Sequence, residues 1–77
     1  MKIAIVITYL RPTRTKQARM NVHAHGYPTR YYPYDHGARN PYESALDAYL
    51  ASNFGAHGIL GVAELDDNTN VALVELS

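Results

Sequence analysis

The sequence predicts an α+β fold: a mostly antiparallel sheet in β-β-β-α-β-β order, with one helix packed on one face. Three observations carry this. Residues 2–10 are apolar on both alternating faces, as in a central strand or one whose second face meets a partner. Residues 16–25 alternate apolar with polar, the mark of a strand with one face on a core. Residues 41–54 instead put Tyr42, Ala45, Leu46, Tyr49, Leu50 and Phe54 on one helical stripe. A single helix laid on one sheet face is the economical way to bury all three.

Each element has its own signals. In the first strand Ile3, Ile5, Ile7 and Tyr9 form one face, and Ala4, Val6, Thr8 and Leu10 the other. Pro12 stops it, because proline cannot donate to a ladder. In the second strand Ala18, Met20, Val22 and Ala24 point one way. Arg19, Asn21, His23 and His25 point the other way, opposite the helix. Gly26-Tyr27-Pro28 makes a turn. Thr29 to Tyr34 is a shorter strand that Pro33 confines to an edge or a terminus. After the loop Asp35 to Arg39, Asn40 offers an N-cap and Pro41 suits the first helical position. Glu43 completes a pair resembling a capping box. Gly55 suits the residue after the helix. Gly58 to Glu64 and Val71 to Leu76 form a hairpin through Asp66-Asp67-Asn68-Thr69.

The chain of 77 residues reads as one small domain, residues 1–77, without repeats or linkers. A chain this short buries only ~60–65% of its unfolded surface, so its core is marginal. It has no cysteine, so disulfides cannot compensate. Oligomerisation is a common remedy. Seven tyrosines exceed what so small an interior needs, and tyrosine is favoured at interfaces. A homo-oligomer is expected. The apolar run Ile3 to Ile7 is too short to cross a bilayer or to serve as a signal-peptide core. No membrane partner is expected.

The formal net charge is zero, which hides an asymmetry. Residues 1–40 carry seven Lys/Arg and one acid, Asp35. Residues 41–77 carry six acids and no Lys or Arg. Such a split suits a nucleotide, nucleic-acid or acidic-protein partner for the basic half. It equally suits two halves that neutralise each other within one fold or between subunits.

Four constellations could carry chemistry. The first is the turn between the first two strands, where Arg11, Arg14, Lys16 and Arg19 accompany Thr13 and Thr15. Guanidinium forks, hydroxyls and turn N–H groups are what phosphate recognition uses. The same residues also suit a solvated loop. The second is Tyr34-Asp35-His36, where His36 could donate to an anion. Capping of the strand-to-helix loop by Asp35 and His36 is the favoured alternative. The third is His23-x-His25, whose two rings could share a metal. A third ligand from Asp35, His36 or His57 cannot be placed, and no metal is expected. The fourth interleaves Tyr27, Tyr31, Tyr32 and Tyr34 with Arg30 and Arg39. That pattern fits base stacking, or equally a tyrosine-rich subunit interface. There is no Ser-centred elbow, Cys nucleophile, Walker loop or glycine-rich dinucleotide turn. The expected protein is not an enzyme and needs no cofactor.

The chain resembles a group of small uncharacterised proteins from bacteriophages and bacterial mobile elements. The matching residues are Tyr9-Leu10-Arg11-Pro12-Thr13, Lys16 and Arg19, then Pro33-Tyr34-Asp35-His36. An alanine-rich helix (Ala45 to Ala51) and a glycine-containing hairpin (Gly58 to Leu76) follow. Lys16 stands where that group usually has arginine. The resemblance covers nearly the whole chain. It implies a mobile-element setting, the cytoplasm of a bacterial host, where very small proteins often counter host defence.

Together these readings give one functional expectation. The chain would hold a phosphate-bearing small molecule, a nucleotide signal of a host antiviral defence system, and sequester it without chemistry. The candidate contacts are Arg11, Thr13, Arg14, Thr15, Lys16, Arg19, Tyr34, Asp35 and His36. The alternatives are a sequence-tolerant nucleic-acid-binding protein and a protein–protein inhibitor of a host defence complex.

Overall fold

The computed structural model describes residues 1–37, 39–54 and 57–76. Five strands, β1 (Lys2–Leu10), β2 (Arg19–Ala24), β3 (Arg30–Pro33), β4 (His57–Asp66) and β5 (Thr69–Leu76), accompany one helix, α1 (Pro41–Asn53). The strands form one sheet in the order β3-β2-β1-β5-β4. Every neighbouring pair is antiparallel. The fold is α+β, in the element order expected. Gly55, expected just after the helix, and the His57 side chain, weighed as a metal ligand, lie outside the described residues.

β1 is the central strand, as its two apolar faces require. Ile5 and Ile7 are fully buried on the helix side. Met20, Val22 and Ala24 of β2 and Ala72 and Val74 of β5 join them, and Ala45, Leu46, Tyr49 and Leu50 of α1 close the core. Across the ladder Ile7 pairs with Val22 and with Asn70. A one-residue slip would turn the whole apolar set outward, so burial fixes the register. Tyr49 is fully buried and its hydroxyl donates to the Pro28 carbonyl at 2.8 Å. The bond ties the helix to the connection between β2 and β3.

Local chemistry sets the boundaries. The second strand is shorter than its alternation suggests, because His25 already lies in the next turn. There Tyr27 N–H donates to Ala24 C=O, and Gly26 takes φ +84°. Glycine adopts that left-handed conformation without steric cost. Pro33 ends β3, which is an edge strand. Asn40 Oδ1 accepts from both Tyr42 N–H and Glu43 N–H at the start of α1. Glu43 makes no return bond to Asn40 N–H among the described residues, so the cap is one-sided. The last hairpin is longer than expected. β4 runs on to Asp66, and β5 begins at Thr69 with Asn68 N–H donating to Asp66 Oδ1. Register shifts between Ile59 and Gly61, and between Glu64 and Asp66, break the alternation. Bulges of this kind also discourage edge-to-edge pairing.

The antiparallel pairing brings three connections to one end of the sheet. They are the 11–18 loop, the Asp67-Asn68 turn and the segment from Tyr34 to Asn40. Tyr9 N–H donates to Asn68 C=O, and Tyr34 N–H to Ala18 C=O. The candidate residues therefore gather at one end. Among the described residues no helix is long and apolar enough to cross a membrane.

Candidate ligand site

Register divides the expected site residues between two sides of the sheet. Arg19 pairs with Leu10 on one side and Pro33 on the other. With Asn21 and His23 it faces away from the helix. Tyr34 stands on the helix side, half-buried against the core and edge-on to Tyr9 at 5.4 Å. The nine candidate residues do not converge on one point.

The helix-side group is structural in its contacts. His36 leans on the Tyr34 ring at 4.7 Å. Asp35 accepts from Gly37 N–H at 3.0 Å and from the Ser44 hydroxyl at 3.3 Å. These bonds pin the loop to the first turn of α1 through Asp35; the capping expected of His36 as well is not among the bonds of the described residues. Asp35 and His36 remain exposed.

The basic loop has an ordered centre. Thr13 N–H donates to Lys16 C=O at 2.8 Å, and Lys16 N–H donates back to Thr13 Oγ1 at 3.2 Å. The Thr13 hydroxyl thus closes the turn. Arg11, Arg14, Thr15 and Lys16 are exposed.

Arg19 differs from the other cations. Its side chain is only half-exposed, and its guanidinium carbon lies 5.9 Å from the centre of the Tyr31 ring. Its Nη1 is shielded from solvent and has no hydrogen-bond partner among the described residues. A buried donor left unmet costs about 1–3 kcal/mol, so the arrangement holds a guanidinium with unused capacity. Lys16, Gln17, Arg19, Tyr31 and Pro33 line a shallow groove of ≈ 360 Å³ along the β2–β3 edge. The groove joins two cations to an exposed aromatic face. Tyr31 was singled out in the sequence only as one of four interleaved tyrosines. Its place diagonal to Arg19 needs the β2–β3 register, which the sequence does not state.

The remaining tyrosines have other duties. Tyr49 is buried, and Tyr9, Tyr27, Tyr32, Tyr34 and Tyr42 pack against the core. Tyr31, 60% exposed, stands apart. The histidines also disperse. His23 Nδ1 lies 3.1 Å from Thr29 Oγ1, and His25 is exposed in the turn. Among the described residues no three His, Cys, Asp or Glu side chains gather as metal ligands. No family model matches the chain, and neither a curated protein nor a solved structure matches it.

Proposed function

We propose that this chain is a binding protein that holds a phosphate-bearing ligand in the groove formed by Lys16, Arg19 and Tyr31. The observation that carries the reading is Arg19, whose Nη1 is buried without an acceptor while its guanidinium lies over an exposed tyrosine. An oxyanion supplies the acceptor that the fold does not. Guanidinium and ammonium donors suit phosphate oxygens, and the Tyr31 ring suits a nucleobase. Arg11 and Arg14, exposed in the adjoining loop, add long-range attraction. The ligand is therefore a nucleotide. The resemblance to phage and mobile-element proteins makes a nucleotide signal of a host defence system the first class to test. Capture of such a signal requires affinity and no catalysis.

Self-association is part of the proposal. Leu60, Leu65 and Leu73 are exposed at the β4–β5 side of the sheet, a surface that a second copy would cover. A sequence-tolerant single-stranded nucleic-acid binder is the second reading, favoured by the same exposure of Tyr31 beside Arg19. Calorimetric titration with ATP, cyclic dinucleotides and inorganic phosphate tests the first reading. Saturable binding of a nucleotide that Arg19→Ala weakens at least tenfold supports it. Equal binding by wild type and Arg19→Ala defeats it.

A further inference from the structure

The opposite flank of the helix borders a cleft with acidic surroundings. α1 packs over β1 and β2. It leaves the helix-side residues of β4 uncovered, with Ile59 43% and Val62 56% exposed. Between α1 and β4 lies a cleft of ≈ 300 Å³, within the lower range of small-ligand pockets. Ile7, Leu46, Ile59 and Val62 give it apolar walls. Asn70 lines it and keeps only 9% of its surface exposed. Its carboxamide has no hydrogen-bond partner among the described residues. Its polar atoms are not among those sealed from solvent without a partner, so the amide opens on the cleft.

The charges around the cleft are carboxylates. Glu43 lines it from α1. Glu64 pairs directly with Asn70 across the β4–β5 ladder, so it lies on the same face of the sheet. The Tyr42 hydroxyl, also in the lining, is pushed above its ordinary pKa by burial first, then by Asp66 and Glu64. The field of these carboxylates therefore reaches the cleft. Among the described residues no cationic side chain lines it. The start of α1 offers nothing to an anion, because Asn40 Oδ1 already takes the Tyr42 and Glu43 N–H groups.

We infer that this cleft binds a small organic cation, an ammonium or guanidinium group on a short alkyl stem. The stem lies against Ile7, Leu46, Ile59 and Val62, and the cationic N–H groups donate to Asn70 Oδ1 and to the Glu43 and Glu64 carboxylates. The carboxamide can present its oxygen to a cation, and the carboxylates around it favour a cation over an anion. The apolar walls favour an alkyl cation over a bare metal ion, which needs several oxygen ligands. This site is independent of the phosphate reading, and either can fail without the other.

The test is an NMR titration of the ¹⁵N-labelled chain with n-butylguanidinium and n-butylammonium, with 1-butanol and n-butyrate as controls. Saturating shifts at the amides of Leu46, Val62 and Asn70 with the cations, and much weaker effects of both controls, are expected. Asn70→Leu should weaken cation binding about tenfold or more, since a hydrogen bond to a charged group is lost. Glu64→Gln should weaken it by a smaller factor, up to about fivefold, as for a solvent-exposed ion pair. Butanol binding as tightly as the cations would reduce the cleft to an apolar groove and overturn the inference. So would butyrate binding in preference, undiminished cation binding by Asn70→Leu, or no saturable shift. Shifts at these amides that depend on protein concentration and vanish in Arg14→Ala would assign the cleft to the basic loop of a second copy instead.

Discussion

Arg19 and Tyr31 are diagonal neighbours across β2 and β3, with the guanidinium carbon 5.9 Å from the ring centre. Arg19 pairs with Pro33, and Tyr31 with Asn21. Diagonal pairs in an antiparallel ladder are within reach of long and aromatic side chains. The ring thus holds the guanidinium in place beside Lys16. A preordered cation loses less freedom on binding than one on a free loop.

That relationship separates two contributions to affinity. Arg19→Ala should cost about 1.5–3 kcal/mol against any phosphate-bearing ligand, through the lost charged hydrogen bonds. Tyr31→Ala should cost about 1–3 kcal/mol against a nucleotide, through lost base stacking. It should cost much less against inorganic phosphate, which has no base. Calorimetry with ATP and phosphate on both variants reads the four values. A Tyr31→Ala loss equal for both ligands would show that the ring only positions Arg19.

The helix supplies a stability test. Leu46 and Leu50 are fully buried in the core beneath α1. Leu50→Ala should destabilise by about 2–5 kcal/mol, from lost transfer energy and the cavity left behind. Urea unfolding followed by circular dichroism measures it. A midpoint equal to that of the parent would show that the stripe is not core.

Most of this frame was legible in the sequence, and the reasons are local. Two-sided apolarity put β1 at the centre, Pro33 put β3 at an edge, and Asn40-Pro41 started α1. The site was less legible, because it depends on register and on lateral placement. Alternation already sets Tyr31 and Tyr34 on opposite faces of the third strand, but nothing in the order of residues says that Tyr31 lands beside Arg19. Nor does it say that α1 lies over β1 and β2 and leaves β4 uncovered. The bulges around Leu60 and Leu65 break the alternation that would have shown how far β4 extends.

Asn70 links stability to the proposed cleft. Its side chain is largely buried but its amide is not sealed from solvent without a partner, so an apolar replacement gains transfer energy from burial rather than relief of an orphaned donor. Asn70→Leu should therefore raise the stability of the unliganded protein by roughly 1 kcal/mol, an increment that shifts Tm by about 4–8 °C in a domain of this size. Differential scanning calorimetry measures the change. A lowered Tm would mean that the amide is satisfied in solution.

Tyr49 sets an alkaline limit. Burial, followed by the neighbouring Tyr32, raises its pKa above the ordinary tyrosine value. The folded state therefore holds this proton more tightly than the unfolded state. The resulting stability is fully present below the unfolded pKa and is lost as pH rises through the folded one. Unfolding should become easier above about pH 10, where free tyrosine ionises. Tyr49→Phe should flatten that alkaline decline. At neutral pH it should cost about 0.5–1.5 kcal/mol, for the bond to the Pro28 carbonyl. Urea midpoints at pH 7 and above pH 10 test both parts. An alkaline decline as steep in Tyr49→Phe as in the parent would place its origin elsewhere.

Salt dependence separates the two classes of phosphate ligand. A nucleic-acid strand laid along the β2–β3 edge would reach Lys16 and Arg19 and then the exposed Arg11 and Arg14. Each neutralised phosphate of a single strand releases counterions, contributing about −0.7 to the slope of log K against log salt. Four such contacts would give a slope near −2.8, or roughly a fiftyfold loss between 50 and 200 mM salt. A nucleotide at Arg19 and Tyr31 meets fewer cations, and part of its affinity is stacking, which does not release counterions. Its slope should stay shallower than about −1.5, the value for two contacts. Fluorescence titrations with a dye-labelled oligothymidylate and with a labelled nucleotide, over that salt range, measure both slopes. Arg11→Ala and Arg14→Ala sharpen the comparison. They should reduce the oligonucleotide slope by about one contact each and leave nucleotide binding nearly unchanged. A steep oligonucleotide slope, together with tighter oligonucleotide than nucleotide binding at 200 mM salt, would replace the nucleotide reading with a strand-binding one.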